Sequence, residues 1–187
     1  MTEKDLENLL VRELRRGHTD PNVLGRMAIT GSTSNASTLY DLVGGREFDL
    51  FQEDSDWNPD KRWMVDIGGG IIPDIVPRSK ASGQNRIYIE VKLHEDIRDV
   101  PALSQVVRQF LHLLCSTECA PPAAPRDIRR AVLLAAPSSW FEHEKRRGKW
   151  QYFRDSCTPL ATLPKIDITL GELELDWLLG MGVLLTD

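Results

Sequence analysis

Apolar residues first recur at helical spacing: Leu6, Leu9, Leu10 and Leu14 lie within residues 2 to 16, with Thr2 positioned to cap the start and Gly17 just past the end. This predicts an amphipathic first helix. From about 28 to 60 the pattern lapses into Gly, Ser, Thr, Asn and Asp, as in "TGSTSNAST" and "QEDSDWNPD", and only "LYDLV" and "REFDLF" look able to order. The segment reads as a long polar insertion, mobile in part, that would order over a substrate. Three strands are expected after it, "RWMVDIG", "IIPDIVPRS" and "NRIYIEVKL", the last two joined by the turn-rich "KASGQ". "VPALSQVVRQFLHLLC" predicts a helix over about 101 to 116, ended by the prolines of "APPAAPRD". "RRAVLLAAP" predicts a buried fourth strand, and "SSWFEHEKRRGKWQYFRD" a helical stretch weakened at Gly148. "LPKIDITL" and "ELELDWLLGMGVLL" read as a further strand and a short helix. The order predicts one α/β domain over residues 1–187, with a mixed central β-sheet flanked by helices.

Composition narrows the class of protein. A chain of 187 residues with 41% hydrophobic and 27% charged residues is globular and long enough to bury a core. Its apolar runs fall far short of the ~20 residues that cross a bilayer, and "MTEKDLENLL" reads as a charged helix rather than a signal peptide. A cytoplasmic protein without a membrane partner is expected. Three cysteines argue against a disulfide framework. A formal net charge of −5 excludes a general polycation but leaves room for a local basic groove.

The candidate chemistry sits on the expected hairpin. In "RIYIEVKL" the apolar Ile87, Ile89, Val91 and Leu93 alternate with Arg86, Tyr88, Glu90 and Lys92, so Glu90 and Lys92 share a strand face. If the hairpin closes symmetrically about Ser82, Asp74 lies directly opposite Glu90, with Cβ atoms about 5 Å apart. Two facing carboxylates repel, so the arrangement calls for cations. Lys92 supplies one charge, and a divalent Mg²⁺, Mn²⁺ or Ca²⁺ on hard oxygen ligands would supply two. Such a metal polarises a phosphodiester and activates water, while Lys92 would orient that water or offset charge growing on phosphorus. The competing structural reading is an ordinary solvated strand face with Asp74 in a turn.

Pro73-Asp74, fifteen further residues, then Glu90-Val91-Lys92 resembles the PD-(D/E)XK nuclease superfamily, and the element order over roughly residues 2 to 136 is similar to that family's αβββαβ, restriction-endonuclease-like core. The resemblance implies a Mg²⁺- or Mn²⁺-dependent phosphodiesterase. Asp74 and Glu90 would ligate the metal, with help from the Val91 carbonyl, and Lys92 would be catalytic. It also implies an acidic residue on the first helix, for which Glu7 is chosen over Glu3 and Glu13, and a glutamine on the following helix, Gln105 or Gln109. The tyrosine of exonuclease-like members is absent, its place taken by Leu113. The implied substrate is nucleic acid, DNA ahead of RNA, in repair, restriction, recombination or mobile-element defence; the alternative is a catalytically silent module that binds nucleic acid or a protein partner. No separate recognition domain is visible, so specificity would come from loops, a homodimer or a partner protein.

Lys145, Arg146, Arg147 and Lys149, interleaved with Trp140, Trp150 and Tyr152, would suit a phosphate-gripping, base-stacking surface; the alternative is core aromatics beneath a solvated helix face. His112, Cys115 and Cys119 have helical spacing but no CxxC pair, so small buried thiols are favoured over a zinc site. Gly68 to Gly70 lack a following Gly-Lys-Ser/Thr and read as a bend or bulge.

Overall fold

The computed structural model describes residues 1–44, 48–52, 73–79, 86–97, 99–100, 103–118, 129–164 and 166–183. The first helix, α1 (Glu3–Arg16), begins with a capping box: Thr2 Oγ1 accepts from the Asp5 amide and Asp5 accepts from the Thr2 amide. Leu6, Leu10 and Leu14 form its buried stripe. Gly17 ends the helix in a right-handed conformation, so its role is not a left-handed stop. A Cβ there would lie 2.7 Å from Leu24 Cγ, and Leu24 belongs to α2 (Pro21–Arg26), which the glycine lets pack close.

A six-stranded mixed sheet runs β1 (Ile29–Thr30), β8 (Ile168–Glu174), β7 (Arg130–Ala136), β4 (Arg86–Val91), β3 (Ile75–Ser79), β2 (Phe48–Gln52). The β2–β3–β4 meander is antiparallel, while β4, β7 and β8 are mutually parallel and β1 closes one edge antiparallel to β8. Parallel β4 and β7 need a crossover, and α4 (Gln105–Glu118) lies between them in sequence. All seven residues of β7 are buried, as expected of a central parallel strand covered on both faces. On one face, α1 and α3 (Leu39–Val43) pack over Ile87, Ile89 and Val91. On the other, α4, α5 (Ser138–Glu142) and α6 (Glu144–Ala161) bury Tyr88, Val132 and Leu134 beneath Phe110, Trp140, Trp150 and Phe153. The last described helix is α7 (Asp176–Val183). No described helix is long and apolar enough to cross a membrane.

Several expectations change. Within the segment read as an insertion, β1 and β2 join the sheet and a Thr38–Asp41 capping box starts α3. In β2, buried Phe48 and half-buried Leu50 flank exposed Asp49, the alternation that "REFDLF" carried. The strand that pairs with β3 is therefore Phe48–Gln52. The one expected in "RWMVDIG" lies outside the described residues, as do Gly68 to Gly70 and Cys119. The helix expected from 101 starts at Gln105, because Leu103–Ser104 (β6) pair with Asp99–Val100 (β5). The later helical stretch breaks at His143, which is extended, while Gly148 continues α6. Finally, β8 extends through Gly171 to Glu174. A Cβ at Gly171 would sit 2.5 Å from Ile29 Cγ2, so the glycine admits β1 against β8.

Candidate functional site

The site forms where β3 begins and β4 ends. Ile75 pairs with Ile89, and carrying that antiparallel register one residue further sets Asp74 against Glu90, as symmetric closure about Ser82 requires. Asp74 Oδ2 accepts a 2.7 Å hydrogen bond from the Val91 amide, which ties the residue preceding β3 to the end of β4. Glu90 is 0% exposed and Lys92 2% exposed. Lys92 Nζ lies 2.8 Å from Glu90 Oε1 and 3.2 Å from Glu3 Oε1. The Glu90 contact is an ion pair without hydrogen-bond geometry. Glu3 also accepts from the Leu93 amide at 3.0 Å, so the first turn of α1 clamps the chain just after β4.

From the opposite face of the sheet, Gln109 Nε2 donates to Glu90 Oε2 at 2.9 Å. One helical turn along α4, His112 Nδ1 lies 2.7 Å from the Tyr88 hydroxyl in a buried contact. Two polar bridges, Gln109–Glu90 and His112–Tyr88, therefore dock α4 antiparallel to β4. Gln109 Oε1 is a buried acceptor with no hydrogen-bond donor, whereas Glu90 Oε1 faces the Lys92 ammonium. A hydrated cation beside Gln109 would satisfy such an atom.

Electrostatics follow from this burial. Desolvation, then the like charge of Glu90, pushes the Asp74 carboxyl up to about 8, with Lys92 and the Val91 amide opposing. Burial also raises Glu90, against the pull of Lys92 and Gln109. Burial disfavours the Lys92 ammonium, yet Glu90, Asp74 and Glu3 outweigh it and hold the lysine above its ordinary range. Lys92 is thus a fixed cation. Without a further cation, at least one carboxylate of the pair holds a proton near neutrality.

The first-helix acids divide. Glu7 is buried, held by Lys4 at 3.0 Å, and close enough to Asp74 to add to its upward shift. Glu3 is the residue that touches Lys92. Glu13 is buried against Arg16 at 2.8 Å, further along the helix. The docking angle of α1 decides which of the three reaches β4. Of the two glutamines, Gln109 is the one seen bonded to Glu90, while Gln105 is half-buried at the start of α4. The Tyr88–His112 bridge was not anticipated; the alternation that placed Tyr88 on the Glu90 face was its only sequence signal. Among the described residues, no group of three or more His, Cys, Asp or Glu side chains converges as a metal cluster.

Lys145 and Arg146 each approach Asp96 at 3.4 Å, and Lys149 donates to the Ile97 carbonyl at 3.4 Å, so three of the four candidate basic residues line the loop that follows Lys92. Arg147 instead borders a cleft with Glu142, Glu172 and Glu174. Trp140 and Trp150 are core residues whose indole N–H groups donate to the Glu95 carbonyl and to Glu172, while Tyr152 is exposed. The aromatics of this stretch are thus mainly core.

Comparison with protein-family models, with curated proteins and with solved structures returned no match.

Proposed function

We propose that this chain is a metal-dependent nuclease of the PD-(D/E)XK type, acting on nucleic acid with DNA ahead of RNA. The observation that carries the reading is the pairing of Asp74 with Glu90 beside the buried ammonium of Lys92. A merely solvated strand face would not bury Glu90 and Lys92 beside a half-buried Asp74, because buried charges are costly. The α1, β2–β3–β4, α4, β7 order supports a restriction-endonuclease-like core.

The donor set fits Mg²⁺ or Mn²⁺ that keeps part of its water shell. Asp74, Glu90 and the Val91 carbonyl would hold it, with Glu7 adding negative charge from α1 and Gln109 orienting Glu90 through its side-chain amide. When bound, the ion supplies Lewis-acid polarisation of a phosphodiester and an acidified water. Lys92 stays protonated, so its part is to orient an attacking water and offset negative charge that grows on the phosphoryl oxygens. Lys145, Arg146 and Lys149, beside the loop after Lys92, would hold substrate phosphates.

One observation favours the alternative of a silent binding module: Lys92 is engaged by both Glu3 and Glu90, an ion cluster that is stable without turnover. The deciding experiment is Mg²⁺- or Mn²⁺-dependent cleavage of single-stranded, double-stranded and branched DNA and RNA by the wild type and Asp74→Asn. Metal-dependent cleavage that is lost in Asp74→Asn is expected. Binding of the same substrates without any cleavage would replace the nuclease reading with the silent module.

A further inference from the structure

At the other end of the sheet, a cavity of about 580 Å³ opens where β7 and β8 begin. Counted along β4, Arg86 lies four residues before Glu90, about 13 Å at the usual strand rise, so this cavity is separate from the carboxylate site. Its lining includes two arginines, Arg129 and Arg130, and two carboxylates, Asp167 and Asp41, the latter bonded to Ser37 and Thr38.

Arg130 is the unusual member. It opens β7, is only 8% exposed, and stands directly across from Arg86 on β4. Two cations facing each other on neighbouring strands destabilise a sheet. Among the described residues Arg130 has no ion pair or side-chain hydrogen bond, and the opposite charge acting on it is Asp167. Burial and Arg86 both weigh against its charge, yet a guanidinium does not deprotonate in a protein. None of its nitrogens is among the buried side-chain atoms without a partner, so the guanidinium edge opens to the water of the cavity, where an anion would pair with it.

The rest of the lining indicates what the anion carries. Asp167 lies at a positive φ of 44°, a conformation rare for a residue with a side chain. Its carboxylate would repel a bare anion but would accept hydrogen bonds from hydroxyl groups. Asn35 adds an amide, while the Thr33 hydroxyl, bonded to the β8 backbone, and the Thr169 hydroxyl, which donates to Ser34, shape the wall; no aromatic side chain stands among the described lining residues to stack a base. The volume falls within the range of small-molecule pockets.

We propose that this cavity binds a small phosphate monoester with a hydroxylated body, a sugar phosphate, with the phosphate held by Arg130 and the hydroxyl groups facing Asp167. The assignment does not depend on the nuclease reading.

The test uses the full chain in excess chelator, so that metal at the carboxylate site plays no part. Ribose 5-phosphate and inorganic phosphate are titrated by calorimetry and by thermal shift into the wild type, Arg130→Met and Asp167→Asn. Ribose 5-phosphate should raise the wild-type melting temperature and bind at least tenfold more tightly than inorganic phosphate. In Arg130→Met that binding should weaken tenfold or more, while the ligand-free melting temperature holds or rises because an uncompensated cation is gone. Asp167→Asn, in which asparagine tolerates the left-handed backbone, should narrow the preference for the sugar phosphate. The proposal is overturned by a wild type that ignores both ligands at millimolar concentration, by equal affinity for the two ligands, or by unchanged binding in Arg130→Met. An Arg130→Met chain that fails to fold also overturns it, since the arginine would then be a structural support.

Discussion

Lys92 separates holding a metal from using it. Oxygen atoms hold the ion, whereas the ammonium acts on charge that grows only in the transition state. Under the nuclease reading, Lys92→Ala should leave metal affinity intact or slightly tighter, since a nearby positive charge is gone. Cleavage should fall by about 100-fold or more, the scale of losing one preorganised donor. Lys92→Arg should not restore it, because a planar fork does not replace a compact ammonium between Glu3 and Glu90. Single-turnover cleavage alongside metal titration checks both; equal cutting by Lys92→Ala would remove the residue from catalysis. Asp74 makes a separate prediction about pH. Its carboxyl sits at about 8 in the folded, metal-free chain, against about 4 when unfolded. Between those values the folded state keeps a proton that the unfolded state has lost. The stabilisation is therefore full below about pH 4 and is lost as pH rises toward 8. Asp41, held low by Thr38 despite some opposing desolvation, acts with the opposite sign and below that window. Metal-free melting temperatures should thus decline from pH 5 to 8, and Asp74→Asn should flatten the decline. Mn²⁺ should raise the wild-type melting temperature at pH 8 and leave Asp74→Asn unmoved, because a ligand that binds only the native state stabilises it.

At the scale of elements, the site depends on how α4 and α1 dock onto β4. Gln109 bonds a fully buried Glu90 on the face of the sheet that α4 covers, and Phe110 beside it fills the core over Tyr88 and Val132. Gln109→Leu should destabilise by about 1–3 kcal/mol, because it leaves a buried carboxylate short of a donor. Phe110→Ala should cost about 3–5 kcal/mol through the cavity it opens. Denaturant midpoints measure both, and a Gln109→Leu protein as stable as wild type would mean that Glu90 does not rely on this bond. On the far edge, Gly171→Ala should cost about 1–3 kcal/mol by overpacking against Ile29. Adding Ile29→Ala should return part of that loss; strictly additive losses would show that the two positions do not meet.

Across the whole molecule, a chain of net charge −5 meets a polyanion only through a local patch. Lys145, Arg146 and Lys149, gathered beside the loop after Lys92, are that patch in the proposed nuclease. Their simultaneous replacement by glutamine should weaken oligonucleotide binding several-fold and make the dependence of affinity on salt less steep by up to about three contacts. Arg147→Gln should change neither, since that side chain borders an acidic cleft. Fluorescence anisotropy over a salt series distinguishes these outcomes, and an unaltered salt slope in the triple variant would remove the patch from the substrate path.

Local pattern settled the parts of this protein governed by near neighbours. The spacing of Leu6, Leu10 and Leu14 and the Thr2 cap marked α1 almost to the residue, and the alternation in "RIYIEVKL" put Glu90 and Lys92 on one face. Those features follow from periods of 3.6 and 2 that the chain carries whatever it packs against. Tertiary structure alone decided the rest: that Glu3 rather than Glu7 meets Lys92, that Gln109 is the glutamine bonded to Glu90, and that "REFDLF" is the strand beside β3. It also brought Arg130 opposite Arg86 from 44 residues away in sequence. Each of these depends on the angle and register at which distant segments dock, and those are set by side-chain packing across the sheet, which no local period encodes.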